Sequence, residues 1–236
     1  MKLFKKGLMD GVPIGLGYFS VSFTFGILAV ANGFFAWEAV LISMTNLTSA
    51  GQFAGMTVMA QGGTLVEMAL TQFVINLRYS LMSLSMSQKV DGGMTVPKRL
   101  FFGAFHTDEI YAVAIGQEGK VGWKYFTGLV IVPYLGWTLG TLAGALCGSH
   151  LPESVCNALG VALYAMFIAI VIPAMKKSRA MLLIVMLAVV LRCILYYVPI
   201  LKEHVSDGFA VIICAVAASL LGALLFPIKE VAEDGN

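Results

Sequence analysis

The chain has 236 residues, of which 59% are hydrophobic and 12% are charged, and its net charge is +2 at pH 7. A soluble domain carries about 25% charged residues, so this chain has too few charges for a fully water-exposed surface. The composition excludes a soluble globular protein, and the small net charge argues against a nucleic-acid partner.

Length and hydropathy predict an all-α, polytopic membrane protein with about six to eight apolar segments of about 20 residues each. These segments run over about 11–31, 37–59, 65–86, 100–116, 125–147, 155–175, 180–198 and 208–226. Segments 37–59 and 100–116 are the polar ones, and we expect one or both to be broken or re-entrant. Residues 1–236 are interpreted as a single membrane transporter domain.

Prolines and glycines indicate where the helices are interrupted. Proline removes one helical hydrogen bond, and membrane helices often kink or break at proline and glycine. The predicted helix breaks are Pro13, Gly17, Gly51 and Pro133. Taken singly, the glycines could equally serve close helix packing.

A second group of glycines recurs at every fourth position of segment 125–147. Gly136, Gly140 and Gly144 form a stripe on which another helix could pack closely. The stripe could face a partner protein or the interior of this chain.

Polar side chains are concentrated in two apolar segments. Segment 37–59 carries Asn46, Thr48, Ser49 and Gln52, and segment 65–86 carries Asn76, Arg78 and Tyr79. An amide or a charge at bilayer depth is energetically expensive, so it marks a ligand site or a pathway.

The basic residues predict the topology. If segments 37–59 and 100–116 do not cross the membrane, twelve of the fifteen Lys and Arg residues fall on one side, which is then the cytoplasm. This interpretation gives six spans with both termini inside. An eight-span topology would move the loop 88–99 outside, and seven spans are a further alternative.

A faint internal repeat relates residues of about 10–90 to residues of about 122–200. Val12-Pro13 matches Val132-Pro133, and Leu77-Arg78 matches Leu191-Arg192. Duplicated halves with broken helices are typical of secondary transporters. The charges do not decide between parallel and inverted halves.

Several motifs together resemble a known family. They are the Gly11-x-Pro13-x3-Gly17-Tyr18 start, the stretch Asn46-Leu47-Thr48-Ser49-Ala50-Gly51-Gln52-Phe53-Ala54-Gly55, the run Asn76-Leu77-Arg78-Tyr79-Ser80-Leu81, and Thr107-Asp108-Glu109. The chain resembles the AzlC family, the large subunits of branched-chain amino acid exporters of the YgaZ type.

The resemblance implies a multi-pass protein of the bacterial cytoplasmic (inner) membrane. It further implies export of branched-chain amino acids, with methionine as an additional candidate. It also implies a hetero-oligomer with a small, separately encoded AzlD-type membrane subunit. No residue role is carried over from the family.

A zwitterionic amino acid in a low-dielectric site needs a cation or helix-terminal N–H groups for its carboxylate, acceptors for its ammonium and an apolar pocket. Arg78 or N–H groups at a helix break are expected to hold the carboxylate. The expected substrate-binding residues are Asn46, Thr48, Ser49, Gln52, Phe53, Asn76, Arg78 and Tyr79.

Asp108 and Glu109 are the expected proton-coupling residues, because burial raises the pKa of a carboxyl group and a nearby arginine lowers it. Two structural alternatives stay open. Arg78 could form a structural ion pair with either carboxylate, and Thr107 or Asp108 could only cap a helix. His106 is interpreted as a satisfied interfacial histidine, with a proton relay as the alternative.

Arg192 lies in segment 180–198 and has no assigned role. It could pair with Glu38 or Glu153, or its side chain could reach the membrane interface. The sequence leaves these alternatives open.

The sequence favours a secondary active exporter of valine, leucine and isoleucine, coupled to proton antiport by alternating access. The alternative is a membrane channel, or an exporter of another small zwitterionic or polar metabolite. We expect no enzyme activity, metal or cofactor, because the histidines are dispersed and neither an HExxH motif nor a P-loop is present.

Overall fold

The computed structural model describes residues 2–148 and 178–226, together with residues 154, 168, 171, 172, 175 and 176. Ten helices occur in the described part of the chain. They are α1 (Lys2–Ala31), α2 (Ala36–Thr45), α3 (Ala50–Ala60), α4 (Leu65–Lys89), α5 (Val96–Ala104), α6 (Asp108–Gly116), α7 (Trp123–Gly148), α8 (Arg179–Tyr197), α9 (Pro199–His204) and α10 (Asp207–Leu225).

This architecture confirms the predicted all-α membrane protein. Both polar segments are helix pairs, since 37–59 divides into α2 and α3 and 100–116 lies within α5 and α6. Each predicted apolar segment that the structure describes has a matching helix or helix pair. The predicted segment 155–175 lies almost entirely outside the described residues.

The chain forms two compact units. The first combines Met1–Met56 with Asn76–Leu163, and the second combines Thr57–Ile75 with Tyr164–Asn236. The first unit contains α1, α2, α5, α6 and α7, and the second contains α8, α9 and α10.

The packing of α1 against α7 dominates the first unit, and small residues make it possible. A Cβ atom added to Gly136 would lie 2.3 Å from the carbonyl oxygen of Gly15, and one added to Gly144 would lie 1.9 Å from that of Phe23. These backbones therefore touch directly. The glycine stripe of α7 faces the interior of the chain, which answers the question that the sequence left open.

Large apolar side chains close the core around this helix pair. Phe25, Phe126, Leu129 and Trp137 are all at least 98% buried. Ile110 of α6 is fully buried in the cluster that contains Phe126, Leu129 and Trp137. The core thus fixes α6, with its acidic first turn, beside α1 and α7.

Four of the described helices are long and apolar enough to cross a membrane: α1, α7, α8 and α10. α4 has 25 residues, or about 38 Å of helix, which is also long enough to span. Its lower hydropathy follows from its charged and amide side chains.

Three basic segments meet at one end of the first unit. The N–H of Val121 donates to Lys89 O at 2.9 Å, and Lys120 Nζ donates to Gln88 O at 2.7 Å. Lys6 Nζ donates to Gln117 Oε1 at 2.7 Å. Loop 88–99, loop 117–122 and the start of α1 therefore lie together at one end of the first unit.

Three of the four predicted helix breaks do not occur. α1 continues through Pro13 and Gly17, and α7 continues through Pro133. A long helix with close neighbours loses only one internal hydrogen bond at proline, so packing maintains it. Gly51 does lie beside a break, in the first turn of α3.

Candidate functional site

The backbone unwinds between α2 and α3, within the polar part of segment 37–59. Asn46 ends α2 in an extended conformation, and its N–H donates to Ile42 O. Thr48 Oγ1 donates to Asn46 Oδ1 at 2.7 Å, which holds the two side chains together. The break places Asn46, Thr48 and Ser49 on irregular backbone.

Ser49 has φ of 45°, in the left-handed region that favours glycine. A side chain in this region costs about 1–2 kcal/mol. Ser49 is the only residue other than glycine with a positive φ among the described residues. The sequence gives no signal for this strain, because serine is unremarkable in a polar loop.

Gln52 belongs to a buried network, which we call the amide network: Ser43, Gln52, Trp137 and Thr141. Trp137 Nε1 donates to Gln52 Oε1 at 3.0 Å, and Gln52 Nε2 donates to Ser43 Oγ at 2.6 Å. Ser43 and Thr141 hydroxyls lie 2.6 Å apart, and Thr141 donates to Trp137 O. Gln52 is 1% exposed, so both ends of its amide are used.

The amide network joins α2, α3 and α7 across the break. Sequence reasoning assigned Gln52 to the substrate and missed Ser43, Trp137 and Thr141. Trp137 and Thr141 are one helical turn apart in an apolar helix, and this spacing was a usable signal. In this conformation Gln52 positions the break and is closed to a ligand.

Phe53 and Met56 also lie in the packed interior. The ring of Phe53 meets that of Phe25 edge to face, with centroids 5.3 Å apart. Met56 is 5% exposed in the same apolar cluster. Met56 is therefore a core residue beside α1 and α2, and Phe53, a predicted substrate-binding residue, packs against this core.

The second break lies between α5 and α6 and ends in a helix cap. Thr107 is the N-cap of α6, and its side chain accepts a hydrogen bond from Ile110 N–H. Asp108 and Glu109 follow in the first turn, where the helix dipole stabilises negative charge. The capping role falls to Thr107, so Asp108 is free to make another contact.

Asp108 forms an ion pair with Arg78 of α4. Arg78 Nη1 lies 2.6 Å from Asp108 Oδ2, and both side chains are 44% exposed. Arg78 also lies over the ring of Tyr79, 4.9 Å from its centroid, and donates to the Tyr79 hydroxyl. Asn76 is half-buried on the same helix, two residues before Arg78.

Glu109 contacts α1 through Tyr18. The Tyr18 hydroxyl lies 2.6 Å from Glu109 Oε2 and 2.6 Å from Thr107 Oγ1. A hydroxyl has one proton, so beside an ionised Glu109 it donates to the carboxylate and accepts from Thr107. We call Tyr18, Arg78, Tyr79, Asp108 and Glu109 the charged cluster.

An aromatic contact links the charged cluster to the amide network. The rings of Tyr18 and Trp137 meet edge to face with centroids 5.2 Å apart. Tyr18 bonds to the cap of α6, and Trp137 bonds to Gln52. The predicted site residues therefore fall into two groups, and this aromatic pair lies between them.

Asp108 lies outside the long apolar helices, in the short helix α6. Burial raises the pKa of its carboxyl group, the Arg78 guanidinium lowers it, and the Glu109 charge raises it. Loss of the Arg78 contact would therefore move this pKa upward. The proton affinity of Asp108 therefore depends on whether Arg78 is paired with it.

His106 differs from the sequence interpretation. It is 5% exposed, and its Nε2 atom has no hydrogen-bond partner in the part of the chain that the structure describes. Burial lowers the pKa of this imidazole, so it is neutral at pH 7. It borders a cavity of about 110 Å³ that is also lined by Ser83, Met86, Ser87, Val90, Arg99, Phe102 and Gly103.

Arg192 has a partner that the sequence did not predict. In the second unit its Nη2 contacts Asp207 Oδ1, in the first turn of α10. Glu38, one of the two expected partners, accepts a hydrogen bond from Phe35 N–H at the start of α2 instead. The other expected partner, Glu153, lies outside the described residues.

Comparisons with known proteins agree on one family. The family model for the AzlC protein matches residues 13–151. The chain is 34% identical to an uncharacterized membrane protein of Archaeoglobus fulgidus, over 74% of this chain and 77% of the relative. It is 28% identical to the inner membrane protein YgaZ of Escherichia coli, over 75% of this chain and 76% of the relative.

A third similar protein is an uncharacterized membrane protein of Helicobacter pylori, 26% identical over 64% of this chain and 66% of the relative. No solved structure matches the chain. The matched region includes both helix breaks, the charged cluster and the amide network. The chain therefore belongs to the AzlC family of membrane proteins.

Proposed function

We propose that this protein is a secondary active exporter of branched-chain amino acids, working by proton antiport and alternating access. Its substrates are valine, leucine and isoleucine, with methionine as a further candidate. The observation that carries the proposal is the Arg78–Asp108 ion pair, which is half exposed beside two interrupted helices.

The ion pair supplies both groups that a zwitterion needs. Arginine presents a planar fork of donors that matches a carboxylate, and a carboxylate accepts from an ammonium. If the substrate's carboxylate replaces Asp108 at Arg78, the released Asp108 is free to accept from the substrate's ammonium. After this exchange, Arg78 is paired with the substrate's carboxylate and Asp108 with its ammonium, so all four charged groups have a partner of opposite charge.

Proton coupling follows from the same exchange. Arg78 lowers the pKa of Asp108 while the two are paired, and the substrate's ammonium would lower it in the same way after the exchange, whereas Asp108 with neither partner binds a proton more readily. Glu109 is the second proton-coupling residue, held by Tyr18. A proton and the substrate's ammonium compete for the Asp108 carboxylate, so each excludes the other, as an antiporter requires.

The remaining predicted residues act around the charged cluster. Tyr79 and Asn76 lie beside Arg78 and orient the substrate, while Asn46, Thr48 and Ser49 supply polar groups at the break between α2 and α3. Gln52 is buried and Phe53 is partly buried in this conformation, so their contact with substrate requires α3 to move. Alternating access provides such a movement.

We place the protein in the bacterial cytoplasmic membrane with both termini in the cytoplasm. The clustering of Lys6, Lys120 and the chain around Lys89 at one end supports this orientation. We also propose a hetero-oligomer with a small AzlD-type membrane subunit. The alternative is a channel, or an exporter of another small zwitterionic or polar metabolite, since polar groups at broken helices suit both.

The proposal is tested with Arg78→Ala in everted vesicles that also contain the small subunit. Uptake of labelled valine, driven by a pH gradient, is expected to fall about tenfold or more, since removal of a charged partner costs at least about 1.4 kcal/mol. Valinamide, which lacks the carboxylate, should compete poorly with valine. Saturable and proton-dependent uptake separates the carrier from the channel.

The matched control is Arg99→Ala. Arg99 lies outside the charged cluster, and its Nε donates to Met94 O. Its removal is expected to leave valine uptake nearly unchanged. Assembled Arg78→Ala protein with wild-type uptake would show that Arg78 does not bind the carboxylate.

A further inference from the structure

The second unit contains an ion pair built like the one in the charged cluster. Arg192 of α8 contacts Asp207, and the two side chains are 39% and 43% exposed. Arg78 and Asp108 are both 44% exposed. Each arginine lies over a tyrosine ring, with Arg192 6.0 Å from the centroid of Tyr196.

The order of elements around the two pairs is also the same. In each case a long helix carries the arginine, a short helix with proline at its start follows, and a third helix begins with the aspartate. The first set is α4, α5 with Pro97, and α6; the second set is α8, α9 with Pro199, and α10. The match of Arg78 with Arg192 in sequence thus extends to whole elements.

The helix caps repeat as well. Thr107 caps α6 one residue before Asp108, and Ser206 caps α10 one residue before Asp207. Each capping hydroxyl contacts a further side chain. Thr107 meets Tyr18, while Ser206 donates to Glu67, which is 4% exposed.

Asp207 has support that does not depend on Arg192. Gln61 Nε2 donates to Asp207 Oδ2 at 2.8 Å, and the first turn of α10 stabilises a negative charge. Removing Arg192 therefore leaves Asp207 with a hydrogen-bond donor. The partly exposed guanidinium, by contrast, is accessible to a replacement anion once Asp207 has gone.

We propose that Arg192 and Asp207 form a second carboxylate-binding pair. During the transport cycle, the carboxylate of a zwitterionic amino acid replaces Asp207 at Arg192, in a step distinct from the exchange at Arg78. This inference rests on the proposed function for the identity of the substrate. Its structural basis, the repeated pair in the repeated elements, is independent of that identity.

The first test measures valine uptake into vesicles as a function of concentration. Arg192→Lys keeps the positive charge but loses the planar fork, so the half-saturating valine concentration is expected to rise about fivefold or more. Lys202→Gln is the matched control. Lys202 lies over the same Tyr196 ring, at 4.6 Å from the centroid, and its removal should leave the half-saturating concentration unchanged.

The second test reports on the ion pair directly. Gln61→Cys, in a chain whose four native cysteines are replaced, places a thiol beside Asp207. Valine is expected to change the rate at which a charged thiol reagent labels this position, and valinamide is not. The purely structural alternative predicts no effect of either compound.

The outcomes separate this inference from the proposed function. Arg192→Gln combined with Asp207→Asn removes both charges and retains polar side chains. Wild-type kinetics in this assembled double variant, or labelling unaffected by valine in a chain that transports valine, would overturn the second site alone. Absence of valine transport by the wild-type protein would instead overturn the proposed function.

Discussion

The two groups of predicted site residues differ most in their access to water. Arg78 and Asp108 are each 44% exposed, whereas Gln52 is 1% exposed with both amide ends bonded. An exposed ion pair contributes little to stability, so its partners can exchange at small cost. A buried amide that loses a partner leaves that partner unsatisfied at about 1–3 kcal/mol. Arg78 is therefore suited to exchange its partner for a substrate, and Gln52 is suited to hold the break between α2 and α3 in place.

Ser49→Gly is expected to stabilise the protein. Glycine adopts the positive φ of 45° without the side-chain penalty, and greater freedom of the unfolded chain offsets part of the gain, leaving up to about 1 kcal/mol. The midpoint of thermal unfolding in detergent should rise. Ser49→Ala keeps the strain and serves as the control. A lower midpoint for Ser49→Gly would show that the side chain stabilises the break.

Tyr18→Phe is expected to destabilise the protein by about 1–2 kcal/mol and to lower proton-driven valine uptake. The substitution removes the hydroxyl that contacts Glu109 and Thr107 and keeps the ring that contacts Trp137. Tyr134→Phe is the control, because that hydroxyl donates to Met44 O at an exposed position. Equal unfolding midpoints and uptake in both variants would contradict a role for the Tyr18 hydroxyl.

At the level of elements, polar residues predicted the helix breaks better than prolines did. Polar residues within apolar segments correctly indicated interruptions in 37–59 and 100–116. Pro13 and Pro133 suggested breaks that packing prevents, since the backbones of α1 and α7 touch along their glycines. Local hydrogen-bond loss is visible in a sequence, whereas the compensating contact with a distant helix is not.

The charged cluster could be predicted only in part, because contacts between distant segments are not visible in the sequence. Arg78, Tyr79, Asp108 and Glu109 are polar residues in apolar surroundings, so their chemistry drew attention. Arg78 and Asp108 pair because the fold brings the start of α6 to α4. The spacing of these residues along the sequence does not predict that contact. The sequence therefore offered Arg78–Asp108 only as an alternative, and it gave Tyr18 no role in the cluster.

Gly144→Ala tests the contact between α1 and α7. The new methyl group would lie 1.9 Å from Phe23 O, so the helices must separate, at a cost of about 1–3 kcal/mol. Gly17→Ala, in α1, has nothing within 4 Å of its new methyl group and should be neutral or slightly stabilising. Both are measured by thermal unfolding in detergent. Equal midpoints would contradict direct backbone contact between the two helices.

At the level of the whole molecule, contacts between distant loops bear on the topology. The bond from Val121 N–H to Lys89 O and the contact of Lys6 with Gln117 join segments far apart in sequence. If α1 and α4 both cross the membrane, α2 and α3 must begin and end on the same side. Both polar segments are then re-entrant, as the six-span topology requires.

Gly92→Cys distinguishes the topologies. Gly92 is exposed and has nothing within 4 Å of an added Cβ, so the substitution is tolerated. In a cysteine-free chain, a membrane-impermeant thiol reagent should label it from the cytoplasmic side, together with Lys120→Cys. Lys202→Cys should be labelled from the opposite side. Labelling of Gly92→Cys from the outside would favour eight spans.

The position of Trp137 makes its intrinsic fluorescence a probe of the candidate site. The chain has three tryptophans, and this one is 2% exposed between Tyr18 and Gln52, whereas Trp37 is 64% exposed. Replacing Trp37 and Trp123 by phenylalanine would leave a single indole between the two groups of site residues. Its emission wavelength would then follow opening of the α2–α3 break in real time, without any attached dye.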